Sequence, residues 1–202
     1  MRFPVRWLAA VALLAPAACS DSTDSGPPAP APPGTTRSES ELTFLRFGDN
    51  IADVPVASIS FWARTDDDRS VELEYERADG NEVELLQFSV PQGALLARPG
   101  GAPFGVVDSV LITIRVTNPT ARRFEFTFEP AGLRFSPSRP ARLAIEYDDC
   151  DDDQKRTAEP AFGLWRAEQG STLFTRESSL QDDDLDELEL DVLGFTRYAV
   201  AY

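Results

Sequence analysis

The chain has no histidine among its 202 residues. Without imidazole there is no Ser-His-Asp or Cys-His catalysis, no zinc site built on His, and no neutral-pH His base. Cysteine is almost as scarce, with only Cys19 and Cys150 present. No apolar run approaches the ~20 residues that a membrane-crossing helix needs. Positive charge is the minority sign: 19 Lys and Arg stand against 34 Asp and Glu, a formal net charge of −15. So acidic a surface repels nucleic acid and anionic lipid, and no basic patch offsets it. Nucleic acid is not an expected partner.

What is present begins with a targeting segment over residues 1–18. Arg2 and Arg6 form a short basic region, Leu8 to Leu14 an apolar run, and small residues lead to Ala17-Ala18-Cys19. This is the layout of a secretory signal, to be set aside before reasoning about the fold. "LLAPAAC" resembles the lipobox of bacterial lipoproteins, with Pro16 where that family prefers Leu. The resemblance implies cleavage before Cys19 and lipidation of its sulfur. The alternative is an ordinary signal peptide cut after Ala17 or Ala18, leaving a free thiol near the new terminus. Loss of Arg2 and Arg6 takes the net charge from −15 to −17.

Residues 19–40 continue as SDSTDSGPPAPAPPGTTRSES after the cysteine, with no aliphatic side chain larger than Ala. Repeated Pro favours extended polyproline II, and so little apolar surface cannot offset the entropy of ordering. The expectation is a disordered Pro/Ser-rich tether. From Glu41 onward about 160 residues remain, enough for one domain burying ~70% of its unfolded surface. If Cys19 is acylated, Cys150 is the remaining thiol, no intramolecular disulfide forms, and the fold rests on its core.

The dominant period of the folded part is two. Val71, Leu73 and Tyr75 alternate with Glu72, Glu74 and Glu76. Val110, Ile112, Ile114 and Val116 share one face, as do Phe124, Phe126 and Phe128. Leu143, Ile145 and Tyr147 repeat the pattern, and so do Leu188, Leu190 and Val192. Turn signals at Asp66–Asp68, Asp79-Gly80-Asn81, Pro99–Gly101, Asn118-Pro119 and Ser136-Pro137 separate these runs. No capped helical stripe of ten or more residues competes, and Ser179 to Leu188 reads as an acidic loop entering a strand. The predicted class is all-β, an antiparallel β-sandwich.

From about Phe88 to Tyr202 a sequence of phrases stands in order: "VPQGAL", "FEPAGLRFSPSRPARLAIEY", Leu164-Trp165 and "LGFTRYAVAY". Together they resemble the β-sandwich module shared by zonula occludens proteins, netrin receptors and ankyrins. The resemblance covers more than half of the mature chain and leaves residues 41–87 outside it as additional N-terminal strands. It implies a binding scaffold for partner proteins without a shared catalytic centre. Some relatives cut their own backbone within His-Phe-Ser; the matching residues here are Gly194-Phe195-Thr196. Thr196 keeps a hydroxyl, but Gly194 replaces the assisting His, so no cleavage is expected between Phe195 and Thr196.

The stretch "YDDCDDDQK" gathers Asp148, Asp149, Asp151, Asp152 and Asp153 around Cys150. An EF-hand loop needs oxygen ligands at positions 1, 3, 5 and 12 and Gly at 6. Starting at Asp149 places Gln154 at six and Pro160 at twelve; starting at Asp148 places Cys150 at three. No register fits, so these five carboxylates are a candidate calcium site only through mutual repulsion that Ca2+ would relieve. Their charge also disfavours the Cys150 thiolate. Asp66–Asp68 and Asp182–Asp184 read as solvated acidic loops, and Trp62 and Trp165 as core residues, with sugar stacking as the alternative. The expectation is a non-enzymatic envelope lipoprotein, held at the outer membrane through Cys19 and meeting an envelope protein or glycan through its β-sandwich. Ser20, rather than Asp, follows Cys19 and favours that membrane by analogy. The alternative is a calcium- or carbohydrate-binding module.

Overall fold

The structure is a computed structural model that describes residues 27–49, 51, 58–77, 79–117 and 119–202. Cys19 and the apolar leader lie outside the described residues. The strands are β1 (Thr36–Ser38), β2 (Ser58–Arg64), β3 (Arg69–Glu76), β4 (Glu82–Val90), β5 (Leu95–Ala97), β6 (Ser109–Val116) and β7 (Glu125–Glu129). They continue with β8 (Arg134–Phe135), β9 (Ala141–Glu146), β10 (Gly163–Ala167), β11 (Leu173–Arg176), β12 (Ser179–Asp182), β13 (Glu187–Val192) and β14 (Arg197–Ala201). One short helix, α1 (Asp152–Ala158), follows β9.

All pairings are antiparallel. A seven-stranded sheet runs β1-β11-β10-β14-β7-β6-β2, and a five-stranded sheet runs β12-β13-β9-β4-β3. A small β5-β8 ribbon completes the set. The five period-two stripes all turn inward. Val71, Leu73 and Tyr75 of β3 meet Ile112 and Ile114 of β6, Phe126 and Phe128 of β7, Leu143 and Ile145 of β9, and Leu188 and Val192 of β13 in one buried cluster. The alternation dictates this arrangement, because a pleated strand with one apolar face is stable only when that face lies against another. The all-β sandwich is therefore the observed fold.

The junction at residues 87 and 88 falls inside β4, which pairs with β3 on one side and β9 on the other. Residues 41–87 supply β2 and β3, one edge of each main sheet, and the first part of β4, and they share one core with the rest.

The last residues of the Pro/Ser-rich run lie against the larger sheet. Thr36–Ser38 add to the edge of β11, and the Gly34 amide donates to the Arg176 carbonyl at 2.8 Å. Polar side chains do not prevent this, since an edge strand is bound through its backbone. The following residues then cross the outer face of the larger sheet, where Leu42 and Phe44 pack with Trp165, Phe174, Ala199 and Ala201 in a second apolar cluster. Ion pairs fix the crossing. Glu39 lies 2.8 Å from Arg123, and buried Glu125 lies 3.2 Å from Arg197. The guanidinium of Arg123 sits 4.2 Å from the Phe44 ring centre.

Candidate functional site

The acidic stretch after β9 leads from the five-stranded sheet into α1. Its carboxylates face different ways. Asp149 is buried and accepts hydrogen bonds from the Tyr75 hydroxyl and from Arg77 Nε. Asp148 takes the other side of the same guanidinium, at 2.7 Å from Arg77 Nη2. Asp151 turns toward the chain ahead and caps α1, accepting from the amides of Asp153 at 3.1 Å and Gln154 at 3.0 Å. That is the ordinary role of Asp at a helix start, where the first amides lack partners. Asp153 pairs with Arg156 at 2.7 Å, and Asp152 is exposed. Among the described residues no three metal-ligating side chains converge. Asp152–Ala158 is helical, and its N-cap, Asp151, is one of the aspartates themselves.

Buried Gln154 shows why this helix sits where it does. Its side chain accepts from the Arg46 amide at 2.9 Å and donates to the Phe44 carbonyl at 3.0 Å, closing backbone groups that the 44–47 segment leaves open. Cys150 bridges to Phe47 and is buried. Burial pushes its thiol up to about 12, with Asp186 and Glu159 adding to the rise and Lys155 opposing it. Loss of hydration, and not the flanking aspartates, is the main brake on thiolate formation.

The Gly194-Phe195-Thr196 segment is woven into the core. The Phe195 ring lies 5.0 Å from Phe135, 5.3 Å from Phe128 and 5.5 Å from Phe88. The Thr196 hydroxyl donates to the Ala167 carbonyl, and the Gly194 carbonyl accepts from the Tyr198 hydroxyl at 2.8 Å. In this geometry the Thr196 proton is committed to a carbonyl that cannot take it up as a base.

Strand pairing reveals a feature that period-two reading alone does not. On the outer face of the five-stranded sheet, Glu74 stands opposite Glu84, Glu146 opposite Glu187, and Glu187 opposite Asp182. A bulge between Leu73 and Glu74 buries both Leu85 and Leu86 and leaves Glu84 on the same face as Glu74. The result is a cross-strand row of carboxylates. Partial burial raises the pKa of Glu84 first, and Glu146, Glu72 and Glu74 raise it further. Glu146 and Glu187 are raised in the same way, by burial and then by acidic neighbours. Toward the other end of this face the row gives way to Ser70, Ser89 and Arg142, which line a groove of about 960 Å³ with Leu180 and Glu189.

A raised carboxylate pKa means that the charged form is the disfavoured one in the folded state. Its cost is therefore present above the folded-state pKa and is relieved as pH falls toward the ordinary value of 4.5. Glu84→Gln is expected to stabilise the chain at pH 7 by ~0.5 kcal/mol, the scale of one like-charged cross-strand pair. The gain should shrink as pH falls toward 4.5, as thermal unfolding scans at a series of pH values would show. An equal gain at every pH would mean that repulsion in the row is not its source.

Trp165 is buried and donates from Nε1 to the Ala201 carbonyl at 3.0 Å. Trp62 is not a core residue, contrary to expectation: it is 61% exposed on the outer face of β2. Phe61 and Ala63 take the inner face, and strand pleating forces the residue between them outward. Comparisons with protein-family models, curated proteins and solved structures find no match.

Proposed function

We propose that the chain is a non-enzymatic lipoprotein of a Gram-negative-type cell envelope, anchored at the outer membrane through Cys19 and presenting an acidic β-sandwich as a structural or protein-interaction module. The observation that carries the reading is the placement of Cys19 between an apolar leader and a Pro-rich run. That run reaches the sheet at Gly34, where the chain joins the edge of β11. At the polyproline rise of ~3.1 Å per residue, the stretch from Ser20 to Pro33 would hold the sandwich within ~45 Å of the lipid surface. Two or three acyl chains on one residue give firm anchoring, where a single chain is marginal.

The proposal extends to the module itself: the phrases between Phe88 and Tyr202 support its likeness to the scaffold of zonula occludens proteins, netrin receptors and ankyrins. Two features of the geometry support a binding role over chemistry. The acidic side chains nearest the candidate sites are engaged by arginines, a tyrosine or helix amides, and Thr196 donates into the core. Metabolic labelling with an alkyne analogue of palmitate tests the anchor. The wild-type chain should take up label and sediment with outer membrane, whereas Cys19→Ala should lose both properties. A Cys19→Ala chain that still labels, or a wild-type chain that never does, overturns the reading.

A further inference from the structure

The two main sheets have four edges, and three are guarded against pairing. β1 offers three residues and β12 four. β3 is eight residues long but carries Glu72, Glu74 and Glu76 along its outer face, and the extra residue Leu85 of β4 breaks its ladder midway. Short length, charge and bulges are the usual means by which sheet edges avoid further strands. β2 is neither short nor bulged, and its outer face is nearly uncharged. It runs seven residues in unbroken register with β6, from Ser58 opposite Arg115 to Arg64 opposite Ser109. Its outward side chains are Ser58, Ser60, Trp62 and Arg64, and the one charge among them is neutralised by Asp66 at 2.8 Å. Trp62 stands directly opposite Leu111, itself 45% exposed, so a large apolar pair lies beside an edge that no further strand joins among the described residues.

Position in the sheet fits a docking role. β2 is the edge opposite β1, six strand spacings or ~29 Å across from the point where the N-terminal segment joins. The registers place Gly34 at the end of the sheet where β2 begins, while Trp62 and Leu111 lie toward the other end. The patch thus occupies the corner of the seven-stranded sheet diagonal to Gly34.

We infer that β2 is a docking edge for an extended segment of a partner protein, which adds to the seven-stranded sheet as an eighth strand and sets an apolar side chain against Trp62 and Leu111. The inference deepens the reading of the chain as an interaction module and rests on it. The occupant is a polypeptide, because only an extended backbone offers a matching row of donors and acceptors at strand spacing. Its side chains alternate apolar with neutral or basic ones. The formal charge of −15 repels an acidic segment, and it repels a second copy of this chain for the same reason.

The test pans a phage-displayed library of random dodecapeptides against the processed full chain in detergent. Enriched peptides should alternate apolar with neutral or basic residues and should lose at least ~10-fold in affinity against Trp62→Glu. Leu180→Glu, at an exposed residue of β12, should leave binding unchanged. A synthetic copy of the best peptide should slow amide exchange at alternate residues of Ser58–Arg64. The inference fails if no peptide is enriched, if Trp62→Glu binds as well as wild type, or if protection appears elsewhere. Exchange protection of β2 that rises with protein concentration alone would also overturn it, in favour of self-association. Protection on the five-stranded sheet would remove β2 while leaving the interaction module standing, and a failed lipid label at Cys19 would remove the anchor while leaving β2.

Discussion

Replacing Phe88 with alanine is expected to cost about 4 kcal/mol of folding stability, within the range for deleting a fully buried ring. Phe88 belongs to β4 in the five-stranded sheet, but its neighbours come from across the interior. Its ring centre lies 6.4 Å from Phe61 of β2 and 5.5 Å from Phe128 of β7, both in the other sheet. It also lies 6.2 Å from Phe135 of β8 and 5.5 Å from Phe195. One side chain therefore joins both sheets, the small ribbon and the segment before β14. Alanine removes the ring and its contacts with four others, and neighbours on so many elements cannot all shift to fill the space. For a domain of this size the loss corresponds to a fall in melting temperature of ~10 °C. Denaturant titration should show an earlier midpoint with an unchanged slope, since the surface exposed on unfolding is the same. Phe88→Leu should cost much less, because most of the volume stays. A change below ~1 kcal/mol for the alanine variant would show that the sheets are not joined at this point.

The inner face of the sandwich was open to reading from the chain, because period two is a property of neighbours in sequence. Val110, Ile112, Ile114 and Val116 had to face one way whatever they packed against. Trp62 could have been placed by the same rule. It sits between Phe61 and Ala63, and adjacent strand residues cannot both face the core; apolar surroundings in sequence do not imply apolar surroundings in space. Features that depend on which strands become partners were beyond such reading. Glu74, Glu84, Glu146 and Glu187 are spread over more than a hundred positions, and only the pairing of β3, β4, β9 and β13 sets them in a row. The edge strand β1 was hidden for another reason. Its sequence is polar, and it is held by main-chain bonds and by the packing of Leu42 and Phe44 downstream. In the aspartate-rich turn the residue types were plain, but their partners, Tyr75 and Arg77, lie some seventy positions earlier.

That turn yields the second large effect. Asp149→Ala is expected to destabilise the chain by about 3 kcal/mol, the lower end of what breaking a buried ion pair costs. The buried carboxylate is the shared acceptor of the Tyr75 hydroxyl, at the end of β3, and of Arg77 Nε, at 2.5 Å. Removing it leaves a buried hydroxyl and a half-buried guanidinium without that acceptor. Arg77 keeps Asp148 at 2.7 Å, and its side chain remains 28% exposed, which holds the cost below the upper end of the range. Burial first, and then the Asp149 charge, raise the pKa of Tyr75, so its proton remains available to donate throughout the working pH range. Asp149→Asn keeps the shape and one acceptor oxygen but loses the charge, and should fall between alanine and wild type. The decisive measurement is a double-mutant cycle. Arg77→Met alone removes the cation, and Asp149→Ala in that background should cost at least 1 kcal/mol less than in wild type. Additive losses would mean that the pair is not coupled. A chain that tolerates Asp149→Ala but loses a Ca2+-induced rise in melting temperature would return the turn to metal binding. Coupling is expected because one inward-turned carboxylate holds both the Tyr75 hydroxyl at the end of β3 and the Arg77 guanidinium.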